Sequence, residues 1–369
     1  MKLLIWSNSY RPQIGGVEVI LSELAPALSE RGHEVVVITD HGPAGAPERE
    51  VLDGVDVRRL PFMKALRSEQ PAKVIAAARL GWEALRDVAP DAVHLNFSDA
   101  TIFFYLRAAA AHPVPMALTF HLSPPPLLLQ RRDGSVRKAM GIADHITACS
   151  RAVLDDALEL APELRDRASV VLNGLALPPQ QPNPPPAGEP TVFAAGGLVE
   201  EKGFDVLIDA MPALREAVPG TRLILAGEGL EQEALAARVR VAGLEDAVEL
   251  TGWVAPEQIY TQMAAADVVA VPSRWREPFC LVALQAAIMG RAAVATRVGG
   301  LPEVVLDGET GVLVERDDPA ALAQALAGLL RDRERAARLG RAARERAIAE
   351  FSIERCAERY EAVFEGLVA

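Results

Sequence analysis

The sequence predicts an α/β protein made of two doubly wound, mostly parallel sheets in series. Three observations predict it. Short runs rich in β-branched residues alternate with stretches of helical periodicity, the pattern of parallel strands covered by helices on both faces. A proline-dense stretch, PPQQPNPPPAGEP at 178–190, interrupts the alternation near mid-chain, and a new strand–helix series begins at Thr191. A length of 369 residues suits two domains of ordinary size.

In the first half the expected strands are 3–6, 34–40, 92–96, 116–121, 145–150 and 169–174. In the second half they are 191–196, 222–227, 248–252, 268–273 and 292–296. A helix is expected from Gly16 to Arg31, because Val17, Ile20, Leu21, Leu24 and Leu28 recur at helical spacing. Pro26 falls inside it and is expected to kink it or remove a backbone hydrogen bond.

The prolines of 178–190 cannot continue a helix or a central strand. That stretch is read as the linker between a first domain, 1–177, and a second, 191–352. Two open sheets joined by a hinge imply an interdomain cleft, since ligands in such sheets bind outside the carboxyl ends of the strands. From about Pro319 the chain is helical and rich in Ala, Arg and Glu. The last stretch, 353–369, carries an apolar set including Ile353, Tyr360, Phe364 and Leu367 and is expected to cross back to the first domain.

Composition narrows the function. A formal net charge of −12 argues against bulk binding to nucleic acid, which needs clustered Lys and Arg. Residues 1–175 carry a net −2 and the remainder −10, so the first half is the part that would meet an anionic membrane surface. Cys149, Cys280 and Cys356 are too few for a disulfide framework and fit a reducing compartment. No stretch offers roughly 18 uninterrupted apolar residues, and the start is too short for a signal peptide's apolar region. A cytoplasmic location follows, with any membrane contact peripheral and through the first domain.

Three segments carry candidate chemistry. The first expected strand ends in SNSYRPQIGGVEV, with Gly15 and Gly16 just before a helix. Adjacent glycines let a backbone approach a ligand, and a helix N-terminus favours an anion; a structural turn fits the same residues equally. The segment from Gly196 and Gly197 to Lys202 and Gly203 follows a strand and opens a helix, offering glycines and a lysine where such a sheet holds phosphate. A cation at a helix start opposes the helix dipole, which points toward a functional reason for Lys202.

The third segment is SRWREPFCL, residues 273–281, leading into VALQAAIMG. The backbone N–H groups of Phe279, Cys280 and Leu281 are placed to face a diphosphate at a helix start. Glu277 beside such a site is electrostatically awkward unless it bonds a neutral group such as a sugar hydroxyl. A helix N-terminus should also lower the pKa of Cys280, although no histidine nearby in sequence would activate it, and it is read as a packing residue. No zinc spacing, GxSxG, HExxH or Asp-x-Asp pair after a strand appears, so no metal site and no bound cofactor are indicated.

Taken in order, these segments resemble the retaining glycosyltransferases of family 4, which have the two-domain Rossmann-like architecture called GT-B. The resemblance runs over nearly the whole chain through PQIGGVE, RGHEVVVIT, DAVHLN, TFH, ADHITACS, VLNG, GGLVEEKGFDVLIDA, LILAGEG, LTGWV, VPSRWREPF and VGGLPEVVLDGETGVLV. Each motif alone is loose; their joint order and spacing are specific.

The resemblance implies roles. Gly15 and Gly16 would approach the donor diphosphate and acceptor, and His121 would contact the transferring sugar. Lys202 would neutralise the leaving diphosphate, and Glu277 would hold sugar hydroxyls. Phe279, Cys280 and Leu281 would supply backbone donors, and Val254 would lie near the nucleobase. The implied ligands are a nucleoside-diphosphate sugar and a small-molecule, glycan or lipid-linked hydroxyl acceptor.

Two positions depart from the family's pattern. Gly197 stands where an arginine is usual, removing a fixed charge and a bidentate phosphate donor. Gln285 stands as the second member of the family's E-x7-E pair, where a neutral amide would bond the ribose. A third, milder departure puts Cys280 where glycine is usual.

The implied reaction is metal-independent transfer with retention, by front-face attack in which a donor phosphate oxygen helps take the acceptor proton. Two other readings share the fold: a sugar-nucleotide enzyme of another kind, such as an epimerase, and a sugar-nucleotide-binding protein that has lost catalysis. A nicotinamide dehydrogenase is disfavoured, because the first strand is not followed by GxGxxG.

Overall fold

The computed structural model describes residues 1–41, 46–97, 100–124, 134–182, 184 and 188–369. The chain divides into two compact units, Met1–Ala176 together with Ile353–Ala369, and Leu177–Ser352.

The first unit contains β1 (Lys2–Ser7), α1 (Gly16–Glu30), β2 (Glu34–Asp40), β3 (Arg49–Leu52), β4 (Val55–Leu60), α2 (Phe62–Arg67), α3 (Pro71–Val88), β5 (Ala92–Phe97), α4 (Ile102–Ala109), β6 (Met116–Phe120), α5 (Ser135–Ile142), β7 (His145–Ala148), α6 (Arg151–Leu160) and β8 (Ala168–Val170). The strands form one sheet in the order β3-β4-β2-β1-β5-β6-β7-β8. Leu3 to Trp6 of β1 and Val35 to Ile38 of β2 are all buried, so neither strand alternates. That is the signature of strands covered on both faces.

The sheet is parallel except at its edge, where β3 pairs antiparallel with β4. This hairpin lies outside the strands expected from sequence. Asp53 and Gly54 form its two-residue turn with φ of 48° and 81°, the left-handed pair that such turns require.

Pro26 remains inside α1 without ending it. The proline has no N–H for the carbonyl of Ser22 one turn earlier, and the Arg11 guanidinium donates to that carbonyl instead.

The second unit contains β9 (Thr191–Ala195), α7 (Phe204–Ala217), β10 (Arg222–Ala226), α8 (Gln232–Val241), β11 (Val248–Gly252), α9 (Pro256–Ala265), β12 (Val268–Val271), α10 (Leu281–Ile288), β13 (Ala293–Thr296), α11 (Leu301–Val304), β14 (Gly311–Val314), α12 (Pro319–Arg331) and α13 (Arg333–Glu350). Its sheet has the order β11-β10-β9-β12-β13-β14, with parallel pairings throughout. Each expected strand run overlaps a strand, although β8 takes up only Ser169 and Val170 of the run 169–174; β3, β4 and β14 are additional.

The chain winds outward from β9 through β10 to β11, then returns to place β12 on the other side of β9. This switch point opens a crevice at the carboxyl ends of β9 and β12. The first unit has the same switch between β1 and β5.

The last helix, α14 (Ile353–Val368), belongs to the first unit. It buries Ile353, Cys356, Ala357, Tyr360 and Phe364 in that unit's core, a set spaced as one helical face.

Candidate functional site

The switch point of the second unit brings the loop after β9 beside the loop after β12. Their approach is close enough to require a glycine. A Cβ on Gly203 would lie 2.2 Å from the carbonyl oxygen of Pro272, and its φ of +66° favours glycine as well. The two loops are then tied together. The N–H of Arg274 donates to the Glu201 carbonyl at 2.8 Å, and its guanidinium binds both oxygens of Asp205 at 2.7 Å.

This junction fixes the central contact. Lys202 Nζ lies 2.6 Å from Glu277 Oε1, and Ser273 Oγ donates to the same oxygen at 2.6 Å. Glu277 is 3% exposed, whereas 27% of the Lys202 side chain remains accessible. Burial works against the lysine's charge, but Glu277 outweighs it and holds the ammonium above its ordinary pKa. The ammonium also lies 5.6 Å from the centre of the Trp275 ring.

The loop after β13 closes the third side. Gly300 N–H donates to the Glu277 carbonyl at 2.7 Å, and a Cβ on Gly299 would lie 2.1 Å from that same oxygen. The sequence motifs VPSRWREPF and VGGLPEVV contain Ser273, Arg274, Gly299 and Gly300 but assign them no role. Their adjacency to Glu277 is a tertiary fact with no local signal.

Beyond Glu277 the chain enters α10. The Phe279 side chain is buried edge-on against Phe351, with ring centres 5.7 Å apart, so only its backbone is available to a ligand. The backbone N–H groups of Phe279, Cys280 and Leu281 have no acceptor among the described residues. They stand at the start of α10, where free N–H groups and the helix dipole favour an anion.

Cys280 corrects one expectation. Its thiol pKa is pushed up to about 12 rather than lowered, by burial and then by the neighbouring Glu277 carboxylate. Lys202 and the N–H groups of Val282 and Ala283 oppose this without overcoming it. Its φ of +80° is a conformation that glycine adopts freely, which accounts for the glycine usual in the resembling family.

The remaining donor-site candidates are more dispersed. Gly197 has open space where a Cβ would stand, with nothing within 4 Å, and its backbone is not left-handed. Gln285 is half-buried in the second turn of α10, and its side chain has no hydrogen-bond partner among the described residues. Val254 is half-buried after β11, at the edge of the sheet and two strands from β9.

In the first unit, Gly15 caps α1 with extended backbone, φ −169° and ψ 175°. Its lack of a side chain matters for space: a Cβ would lie 2.4 Å from Glu18 Oε2. Ser9 Oγ donates to the other oxygen of Glu18. A carboxylate over this loop repels a phosphate and suits a hydroxyl donor.

His121 follows β6 and is 5% exposed. Asn96 Nδ2 donates to the His94 carbonyl at 3.2 Å, which turns Asn96 Oδ1 toward His121 Nε2 at 2.7 Å. His121 must therefore donate from Nε2, leaving Nδ1 as an acceptor. Burial lowers its pKa to about 4, so the ring is neutral near pH 7. His94 is more deeply placed, with Nε2 2.7 Å from Thr119 Oγ1 and its ring 4.5 Å from that of Tyr360. Its role is to join β5, β6 and α14.

Among the described residues, no three His, Cys, Asp or Glu side chains gather as a metal site would require, and no helix is long and apolar enough to cross a membrane.

Comparison with known proteins places this architecture. Residues 14–177 match the family described as Glycosyltransferase Family 4, and residues 179–346 match Glycosyl transferases group 1. The chain is 31% identical to a glycogen synthase of Mycobacterium tuberculosis, over 95% of this chain and 91% of the relative. It is 33% identical to a D-inositol 3-phosphate glycosyltransferase of Xylanimonas cellulosilytica, over 89% and 87%. Among solved structures, the sucrose-phosphate synthase of Thermosynechococcus elongatus superimposes with a TM-score of 0.79 at 24% identity, covering 99% of this chain and 98% of that one. The chain belongs to the family 4 glycosyltransferases and has their GT-B fold.

Proposed function

We propose that this glycosyltransferase moves a sugar from a nucleoside-diphosphate sugar to a hydroxyl acceptor, with retention of anomeric configuration and without a metal ion. The observation that carries the reading is the Lys202–Glu277 pair at the switch point, beside the N–H groups of residues 279–281, which have no acceptor among the described residues. An anion would meet Lys202 and these N–H groups beside a carboxylate able to accept sugar hydroxyls, as a sugar diphosphate demands.

Expelling a nucleoside diphosphate leaves negative charge on the departing phosphate while positive charge develops at the anomeric carbon. Lys202 and the three N–H groups would meet the first charge in a fixed arrangement, which is where preorganised donors stabilise a transition state. Lys202 can do this without abandoning Glu277, because an ammonium has three N–H donors. Glu277 has a second oxygen for sugar hydroxyls. As the family resemblance implies, a donor phosphate oxygen would help take the acceptor proton. Lys202 and Ser273 both draw on Glu277 Oε1, which makes the carboxylate a weaker nucleophile and suits it to holding hydroxyls.

In the first unit, His121 would accept a sugar hydroxyl at Nδ1, and the loop of Gly15, Gly16 and Glu18 would hold the acceptor hydroxyl. Relatives differ in donor: a structurally similar Anabaena protein was crystallised with UDP and glucose, and a Mycolicibacterium smegmatis relative is named for GDP-mannose.

The test is incubation with a panel of sugar nucleotides in the presence of EDTA, following release of free nucleoside diphosphate and the anomeric coupling of the product by NMR. Release that requires an acceptor and yields the donor's configuration supports the reading. Inversion, or epimerised sugar nucleotide without release, overturns it. Loss of turnover in EDTA, restored by a divalent cation, overturns metal independence.

We place the protein in the cytoplasm, on the support of three cysteines that form no disulfide. Helix α3 exposes Ile75 and Leu80 among Lys73 and Arg79, which supports peripheral contact with an anionic membrane. Co-sedimentation with anionic but not neutral vesicles, lost in Ile75→Ser with Leu80→Ser, tests that contact; no sedimentation rejects it.

A further inference from the structure

The second unit has a cavity of about 490 Å³ that the transfer reaction does not use. Arg291, Arg333, Arg341 and Arg344 line it, opposed by Asp267 and Glu334. Four cations against two carboxylates leave a local charge of +2 within a half of the chain that is strongly acidic.

Part of this set is structural. Arg291 Nε donates to the Met263 carbonyl at 3.0 Å, and Arg344 donates to the Ile288 carbonyl, so the two cap the ends of α9 and α10. Carbonyl contacts leave the charges intact, and a guanidinium has five N–H donors. Arg341 has no ion pair or hydrogen bond among the described residues. Asp267 is 8% exposed; its Oδ2 accepts the Thr191 N–H at 2.8 Å, while the buried Oδ1 has no hydrogen-bond partner. Arg333 stands 3.6 Å from that oxygen, beyond hydrogen-bonding reach. The cavity therefore offers Arg341, which has no partner among the described residues, Arg333, held by a 3.6 Å ion pair to Asp267 and a 3.5 Å hydrogen bond to the Gly188 carbonyl, and a buried acceptor lacking a hydrogen-bond donor.

The cavity is also remote from the Lys202–Glu277 pair. Asp267 precedes β12 and Ser273 follows it, so the two lie at opposite ends of the strand, roughly 13 Å or more apart at about 3.3 Å per residue. Helix α10 spans the same interval, from Cys280 at its start to the Ile288 carbonyl that Arg344 holds at its end.

We infer that this cavity binds a phosphate monoester whose body carries a hydroxyl or amino donor. At neutral pH such a phosphate carries a charge of about −1.5 to −2, which balances the local excess. Arg341 and Arg333 bind the phosphate oxygens, Asp267 Oδ1 accepts the donor on the body, and Leu329 with the alanines of α13 covers its apolar surface. A hexose phosphate and a nucleoside monophosphate share this chemistry, and separate arms of the test distinguish them.

The test is calorimetric titration of the full chain, without any sugar nucleotide, using a hexose 6-phosphate, a nucleoside monophosphate, methyl phosphate and inorganic phosphate. At least one of the first two should bind, and methyl phosphate, which has no donor on its body, should bind about tenfold more weakly or worse. Arg341→Ala should weaken the better ligand about tenfold or more, because a charged hydrogen bond is lost. Arg341 has no partner among the described residues, so this variant should keep the wild-type melting temperature. Saturating nucleoside diphosphate should not displace the ligand. Absence of binding, equal affinity for methyl phosphate, insensitivity to Arg341→Ala, or displacement by nucleoside diphosphate would each overturn the inference. Because the readout is binding and not transfer, its failure leaves the proposed reaction untouched, and failure of the reaction leaves this site untouched.

Discussion

Lys202 and Glu277 come from different loops, yet Nζ and Oε1 stand 2.6 Å apart, and Ser273 holds the same carboxylate oxygen. The pair resolves a conflict visible in the sequence, where an acid lies beside the N–H groups suited to an anion. The acid is neutralised by the cation that would meet the diphosphate, so each partner makes the other tolerable. The same relationship makes both residues structural, and substitutions here must be read in stability and binding together.

Lys202→Ala should therefore have two effects. It leaves the buried Glu277 carboxylate without its cation, which should cost about 1–3 kcal/mol, less than a fully buried pair because the lysine is partly exposed. It should also weaken nucleoside diphosphate binding by about 1.5–3 kcal/mol. Adding Glu277→Gln should recover much of the stability and none of the affinity. Denaturant melts and calorimetry on the wild type and the two variants check this; unchanged affinity in the single variant removes Lys202 from the donor site.

Gly197 offers a gain instead of a loss. Nothing lies within 4 Å of where its Cβ would stand, and its backbone is not left-handed, so a larger side chain meets no steric penalty. Gly197→Arg should tighten nucleoside diphosphate binding by about 1 kcal/mol or more, as a charge-assisted phosphate contact. Weaker or equal affinity in a variant with a normal melting temperature would mean that position 197 does not face the phosphates.

These residues also show what the sequence could reveal. Strands buried on both faces announce themselves as continuous apolar runs, so β1, β2 and β12 are readable. The β3–β4 hairpin has a signal, Asp53-Gly54, but its strands are short and half of their residues are polar, so neither makes a continuous apolar run. Lys202 and Glu277 are readable as candidates because each opens a helix after a strand. Their contact is not, since 75 positions separate them and only the return of β12 to β9 brings them together. The Cys280 thiol departs from expectation because helix position is local, whereas burial and the nearby Glu277 carboxylate are tertiary.

The neutral, Nε2-protonated state of His121 should be directly visible. Nitrogen-15 NMR of labelled histidine should show an unprotonated Nδ1 from pH 8 down to about 5, with protonation near the lowered value of about 4. Because the folded pKa is depressed, its contribution to stability is full above the unfolded value, about 6.5, and is lost as pH falls toward the folded value. Asn96→Leu removes the group that fixes the ring. It should mix the tautomers and reduce turnover more than nucleotide binding, which His121 does not touch in the proposed role. A pure Nε2–H signal in that variant would show that Asn96 does not set the tautomer.

Glu23 gives a pH dependence of opposite sign. Its Oε2 accepts the Ala176 N–H at 2.6 Å, where the chain leaves the first unit. Burial raises its pKa to about 7; the Ala176 hydrogen bond and Arg11 favour the charged form but do not prevail, and Glu354 adds to the rise. A raised folded pKa means that the stabilising contribution is complete below the unfolded value, about 4.3, and is lost as pH climbs through about 7. At pH 8.5 the folded protein carries a poorly solvated carboxylate, at a cost of at most about 3.5 kcal/mol from the shift and less after screening by solvent. Glu23→Gln keeps an oxygen to accept the Ala176 N–H and removes the charge. It should therefore stabilise the protein at pH 8.5 by about 1–2 kcal/mol and change little at pH 4, below the unfolded value, where Glu23 is neutral in the folded protein and mostly neutral in the unfolded one. Comparing the two proteins at each pH cancels the other titrating groups, because they are common to both. Equal gains at both pH values would trace the effect to packing and not to the charge, and a loss at pH 8.5 would show that the carboxylate's hydrogen bond outweighs its burial.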